Sequence, residues 1–345
     1  YVDGAMTDVK TETAYRFSVT VDSGSKISVG LGKEGYVDSG RTVVQPMIKL
    51  KSPSVTFKDK EGKDYNNRPL KYQMVTVTAN DPGVTLYYRV SDGDSAYSGV
   101  YETPLEFRQT GSIEVWAMKE NYETSDHKTV SVKVTYDIGD LGPSGGIIVS
   151  TAGGMFDDWK YIELAPVRAD GSQYKYGYYA KKDDSEALKV FDIGKNEDQE
   201  IGNGDYYTRQ LVMTMTGHAY GAIDSSWKIR PNVAGERITK TAASVADSFV
   251  YELKTKVNGR TLSFADWYLP NRTELVYILQ RQLNGTINSS VLVKGNYWST
   301  EESEDSRGAA TLVIFDPESK TKKVSEFTSA AKSNMGYVLL LRKFK

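Results

Sequence analysis

At 345 residues the chain exceeds the ~250 to 300 at which a single core stops growing, so two or three domains are expected. Charged residues make up 26% yet nearly cancel, leaving a formal net charge of -2; no whole-molecule field marks a nucleic-acid or membrane-surface binder, and an electrostatic partner must be met by a local patch. The absence of cysteine excludes disulfide frameworks, thiolate metal sites and cysteine nucleophiles.

No segment approaches the ~20 apolar residues needed to span a bilayer, and Gly336 to Leu341, the most apolar carboxy-terminal stretch, has only the length of a strand. The numbering opens at Tyr1 without Met. That start fits an exported protein whose targeting segment has been removed, although a boundary within a cytoplasmic protein would look the same. The 24 Tyr against 10 Phe suit recognition surfaces, and equally suit antiparallel strands with Tyr on the wet face.

Residues 1 to 137 alternate Val, Thr, Tyr and Ile between turn signals, the pattern of half-buried antiparallel strands. Phe17 to Val21, Val75 to Val77 and Val130 to Val134 each place apolar residues on one face. Asp81-Pro82-Gly83 and Asp92-Gly93-Asp94 supply turns. A repeat lies within this stretch. Ile27-Ser28-Val29 with Lys33-Glu34-Gly35-Tyr36 and Ser39 recurs 86 residues later (27 to 113) as Ile113-Glu114-Val115 with Lys119-Glu120-Asn121-Tyr122 and Ser125. A period of that size fits tandem β-sandwich modules rather than a solenoid.

The second copy resembles the chitobiase carboxy-terminal-like, Ig-like sandwich of exported bacterial proteins. Pro82 to Tyr88, Ser112 to Ala117 and Asn121 to Ser125 carry the likeness, with Ser91-Asp92-Gly93-Asp94 in place of that family's Thr-Asp-Gly-Ser turn. Residues 47 to 137 are thus expected to form one full module. Residues 1 to 46 match only the last strands of another, so the first module is expected to be partial, its strands cut short or packed on the second module.

The composition shifts near residue 138, where Gly-rich loops and helical periods begin. Thr241 to Lys254 places Ala242, Val245, Ala246, Phe249, Val250 and Leu253 on one helical face. Asn271-Arg272-Thr273-Glu274 is a capping box before the buried stripe Leu275, Ile278, Leu279 and Leu283. Strands return at Tyr297-Trp298-Ser299, Ala310 to Phe315 and Gly336 to Leu341, an α+β plan.

Several motifs here invite chemistry. Gly142-Pro143-Ser144-Gly145-Gly146 lacks the Gly-Lys-Ser/Thr ending of a phosphate loop and reads as a turn feeding Ile147-Ile148-Val149; Ile201-Gly202-Asn203-Gly204-Asp205 fails the dinucleotide pattern and reads as a turn before a helix at Thr208. The two histidines, His127 and His218, have no metal-ligand spacing and read as structural or surface residues. No catalytic residue and no metal site are therefore expected. Asp157-Asp158, Asp183-Asp184 and the Glu301-Glu302, Glu304-Asp305 group are adjacent in sequence and do not provide the separated carboxyls of a glycosidase; the first two pairs read as solvated loop charge.

The blocks Gly142 to Gly146, Trp159-Lys160-Tyr161, Asp266 to Pro270 and Asn296-Tyr297-Trp298-Ser299, in this order, resemble the carboxy-terminal domain family of Lcl adhesins. That family is a branch of the C-type-lectin fold that includes formylglycine-generating-enzyme-like proteins. The enzyme branch uses cysteine chemistry, so the likeness implies fold and not activity. It implies a multidomain chain, with all-β Ig-like sandwich modules followed by an α+β C-type-lectin-like domain over residues 138 to 345. It also implies a non-enzymatic protein at the cell surface or outer membrane, a lipoprotein if an anchor lies upstream, that recognises a glycan or an extracellular protein. Trp159, Trp267 and Trp298 sit at family positions and read as core.

Specificity is expected in the loops 299 to 308 and 316 to 335, with Glu301, Glu302, Asp305, Arg307, Lys320, Lys322, Lys323 and Asn334 as contacts. The basic run, extended by Lys332, Arg342, Lys343 and Lys345, suits an acidic glycan or, alternatively, a charged hairpin that blunts an edge strand. Calcium could use the acidic oxygens, yet no Glu-Pro-Asn, Gln-Pro-Asp or Trp-Asn-Asp motif is present, and no cofactor is expected. Two other readings are a structural or assembly component of an envelope or fimbria-like structure, and an accessory part of a carbohydrate-active enzyme.

Overall fold

A computed structural model describes residues 10–13, 16–18, 20–30, 42–59, 71–92, 95–151, 159–177, 200–217, 240–303 and 309–345. They are mostly β-sheet, with three helices among the described residues. The chain falls into two compact units, one of residues 1–59 and 73–133 and the other of 60–72 and 134–345.

The first unit contains β1 (Lys10–Thr13), β2 (Arg16–Ser18), β3 (Ile27–Val29), β4 (Thr42–Val44), β5 (Ser54–Asp59), β6 (Gln73–Thr78), β7 (Thr85–Asp92), β8 (Ser95–Val100), β9 (Leu105–Phe107), β10 (Gly111–Met118) and β11 (Lys128–Val132). A four-stranded sheet runs β11-β10-β7-β8 and a three-stranded one β5-β6-β9; β1-β2 and β3-β4 are separate pairs. Alternation puts Ile113, Val115 and Ala117 of β10, Tyr88 and Val90 of β7, Val75 and Val77 of β6 and Leu105 and Phe107 of β9 inside, a β-sandwich-like arrangement.

The repeat is visible as register. β3 pairs with β4 as Ile27↔Val44, Ser28↔Val43 and Val29↔Thr42; β10 pairs with β11 as Ile113↔Val130, Glu114↔Thr129 and Val115↔Lys128. Both members of every pair are displaced by the same 86 residues (27 to 113, 44 to 130).

The second unit contains β12 (Ile147–Ser150), β13 (Tyr161–Leu164), β14 (Gln173–Lys175), α1 (Gly204–Gly217), α2 (Ala242–Asp247), β15 (Tyr251–Glu252), β16 (Ser263–Phe264), α3 (Arg272–Leu283), β17 (Gly295–Glu302), β18 (Ala309–Phe315), β19 (Ser325–Ala331), β20 (Met335–Tyr337) and β21 (Leu341–Phe344). Its main sheet has the order β14-β20-β17-β18-β19; a second has β12-β13-β21, and β15-β16 is a short ribbon. One core gathers Trp267, Leu269, Trp298, Leu312 and Leu340 with the buried alanines of α2; the other gathers Trp159, Leu275, Ile278, Leu279, Tyr297, Val313 and Phe315. Trp159, Trp267 and Trp298 are all core residues. Two of their indoles donate to carbonyls, Trp267 Nε1 to Phe264 O at 2.9 Å and Trp298 Nε1 to Tyr174 O at 2.8 Å.

The Gly-rich block is a turn closed on a carboxylate. Gly142 N donates to Gly146 O at 2.9 Å, while Glu163 Oε1 accepts from Ser144 N, Ser144 Oγ and Gly146 N at 2.8 to 3.0 Å. A Cβ on Gly146 would lie 2.0 Å from Leu164 O, so the close approach of the turn to β13 requires glycine.

Two elements differ from the sequence reading. The helix expected over Thr241 to Lys254 stops at Asp247: the Ser248 hydroxyl bonds back to Ser244 O at 2.7 Å, Leu253 N donates to Leu262 O at 2.9 Å, and Tyr251–Glu252 pairs as β15. Its apolar period persists because Phe249 and Leu253 still pack on the core from the extended chain. The expected strand from Gly336 to Leu341 splits, β20 joining the main sheet and β21 the smaller one, with Val338, Leu339 and Leu340 buried between.

Candidate functional site

Helix α3 is fixed at its start by two reciprocal bonds. Asn271 Oδ1 accepts from Glu274 N at 2.8 Å, and Glu274 Oε2 accepts from Asn271 N at 2.9 Å. The other Glu274 oxygen accepts from Gly202 N and from the Tyr268 hydroxyl, both at 2.9 Å, so one carboxylate ties the Gly-x-Gly turn to the helix. Burial pushes the Glu274 carboxyl up to about 7 against the pull of these bonds.

With Leu275, Ile278 and Leu279 turned into the core, the opposite face of α3 is left to the surface. Thr273, Val276, Tyr277, Gln280, Arg281 and Asn284 recur at helical spacing along it and, with Arg272, Thr286 and Glu326, line an open groove of about 690 Å³. Twelve residues of helix give it a length of ~18 Å. Arg281 lies 4.2 Å from the Tyr277 ring centroid and donates to the Tyr277 hydroxyl, and the ring itself is partly buried against the core. Arg281 Nε is buried and has no hydrogen-bond partner among the described residues.

One end of the groove meets the turn between β18 and β19. Gln280 Nε2 donates to Lys322 O at 2.7 Å and to Asn284 Oδ1 at 3.0 Å, pinning this turn to α3. Lys320, Lys322 and Lys323 are exposed on it. Lys322 has φ +49°, a left-handed conformation that glycine or asparagine would hold with less strain. At the other end Arg272 bridges Glu301 Oε2 at 2.9 Å and Glu326 Oε2 at 3.3 Å.

Among the described residues, those anticipated as contacts do not converge. Glu301 and Glu302 lie in β17 rather than in a loop and are 4% and 2% exposed, Glu301 engaged by Arg272 and Glu302 by Lys332. Neither carboxylate is presented to solvent, because β17 continues to Glu302 as a central strand of the main sheet. Asn334 is exposed in the turn after β19, at the opposite end of that seven-residue strand from the lysines, ~20 Å away at strand rise. Asp305 and Arg307 lie outside the described residues, as do His218, Asp157-Asp158 and Asp183-Asp184. Of the extended basic run, Lys332 and Arg342 are buried: Arg342 holds Glu163 at 3.1 Å and Asp266 at 2.9 Å.

His127 is a surface residue stacked on Trp116 at 4.5 Å, with Glu114 at 3.1 Å. Among the described residues, no group of three or more His, Asp or Glu side chains could hold a metal ion, and no helix is long and apolar enough to cross a membrane. The face of α3 escaped the reading of the sequence. Its signal was available: the polar and aromatic residues from Thr273 to Asn284 repeat at the same period as the buried stripe.

No protein-family model matches the chain, and no curated protein matches it.

Proposed function

We propose that the carboxy-terminal unit is the recognition head of a surface-exposed adhesion protein. The head is a C-type-lectin-like domain without catalysis, carried behind Ig-like sandwich modules, and its ligand is an acidic glycan bound along α3. The observation that carries this reading is the groove itself: an open channel lined by a tyrosine ring, amide side chains and a half-buried guanidinium, beside a turn with three exposed lysines. Sugars are held by such groups, the ring face against apolar C–H faces and the amides and guanidinium to hydroxyl, carboxylate or sulfate oxygens. Lys322 adds support, since a long cationic side chain in a left-handed conformation costs roughly 1 kcal/mol relative to glycine.

With the whole chain near neutrality, the attraction must come from this patch and must be screened by salt. Titration of the full chain against a sulfated oligosaccharide, in low and high salt, tests the proposal. Reversing Lys320, Lys322 and Lys323 to Glu is expected to weaken binding by on the order of tenfold or more and to flatten the salt dependence. Binding that is unchanged by the triple substitution removes the basic turn from the function.

A further inference from the structure

We propose that Lys332 and Glu302 are covalently joined as an intramolecular amide that ties β17 of the main sheet to the turn after β19. The side chains of this pair are 2% and 1% exposed, and Lys332 Nζ is in contact with Glu302 Oε1. Register brings them near one another: Glu302 of β17 is opposite Ala310 of β18, which is opposite Ala330 of β19, and Lys332 follows two residues on, in the turn after β19. Ala310 and Ala330 are wholly buried and small, so nothing bulky stands between the amine and the carboxyl.

The pair is enclosed beside aromatic side chains. Lys332 Nζ lies 5.5 Å from the centroid of the Tyr176 ring, which packs edge-on against Trp298 at 5.3 Å, and the Tyr176 hydroxyl is turned away to Thr300 O at 2.8 Å. Removing two charges from water is unfavourable, a cost that a neutral amide does not carry. The step balances without a co-reactant. The neutral amine attacks Glu302 Cδ of the protonated carboxyl, the N–C bond forms, the C–O bond to the departing hydroxyl breaks, and that hydroxyl leaves with a proton from nitrogen as water. No atom is oxidised or reduced. In a chain without cysteine, such a bond closes the segment from 302 to 332 as a disulfide would.

Mass spectrometry of the denatured full chain decides the question, independently of whether any variant folds. The expected mass is one water below that of the sequence, and proteolysis is expected to release a branched peptide joining the Glu302 and Lys332 segments. Lys332→Arg, which keeps the charge but cannot form the amide, should restore the full mass and lower the melting temperature. A wild-type mass equal to that of the sequence with no branched peptide overturns the proposal. So does a water loss that persists in Lys332→Arg.

Discussion

Glu274 carries more structure than its place in a capping box requires. Its two oxygens serve the Asn271 and Gly202 amides and the Tyr268 hydroxyl, yet burial outweighs those bonds and lifts its carboxyl from 4.5 to about 7. A carboxyl that holds its proton more tightly when folded contributes stability fully at pH below 4.5, and that contribution is lost as pH rises through about 7. At ~1.4 kcal/mol per pH unit this amounts to about 3 kcal/mol at most. Urea unfolding of wild type and Glu274→Gln across this window should give a difference that shrinks as pH rises. A difference independent of pH would mean that the carboxyl titrates normally in the folded chain. The capping partnership was legible from Asn271 and Glu274 alone, because it is local; the bonds to Gly202 and Tyr268 depend on how distant turns pack and left no trace in spacing.

Among elements, β13 and β21 show how buried charge is used in this unit. Glu163 and Arg342 are direct cross-strand partners, and the carboxylate also closes the Gly142 to Gly146 turn while the guanidinium reaches Asp266. Burial raises the Glu163 carboxyl, opposed by Arg342 and the Ser144 and Gly146 donors. Arg342→Met should therefore cost about 3 to 5 kcal/mol in chemical denaturation by stranding a buried acid, and the double substitution Glu163→Gln with Arg342→Met should cost clearly less. An equal loss in both would show that packing of the arginine, not its charge, is what matters. Arg342 looked like part of an exposed basic run because charge in a terminal strand is usually solvated; only the register reveals its partner. The same limit applies to the helix that stops at Asp247 and to the strand divided between two sheets, where an apolar run was visible but the element that would bury it was not.

On the scale of the molecule, strand-rich and helix-bearing halves were legible because period and turn chemistry are local properties. The 86-residue repeat went further, since its offset reproduces the pairing register of both hairpins. The proposed recognition surface was legible only in part. The basic turn was identified from charge, whereas the groove beside it is made by a helix face on which no residue is unusual by itself. Glu301 and Glu302 were drawn into the candidate set by their charge and belong instead to the interior of the sheet. The central claim is that ligand lies along α3 and the turn after β18. Hydrogen exchange of the full chain with and without a sulfated oligosaccharide tests it most directly. Slower exchange confined to residues 272–286 and 316–326 is expected, and protection at 299–303 and 332–336 with none along α3 would contradict it.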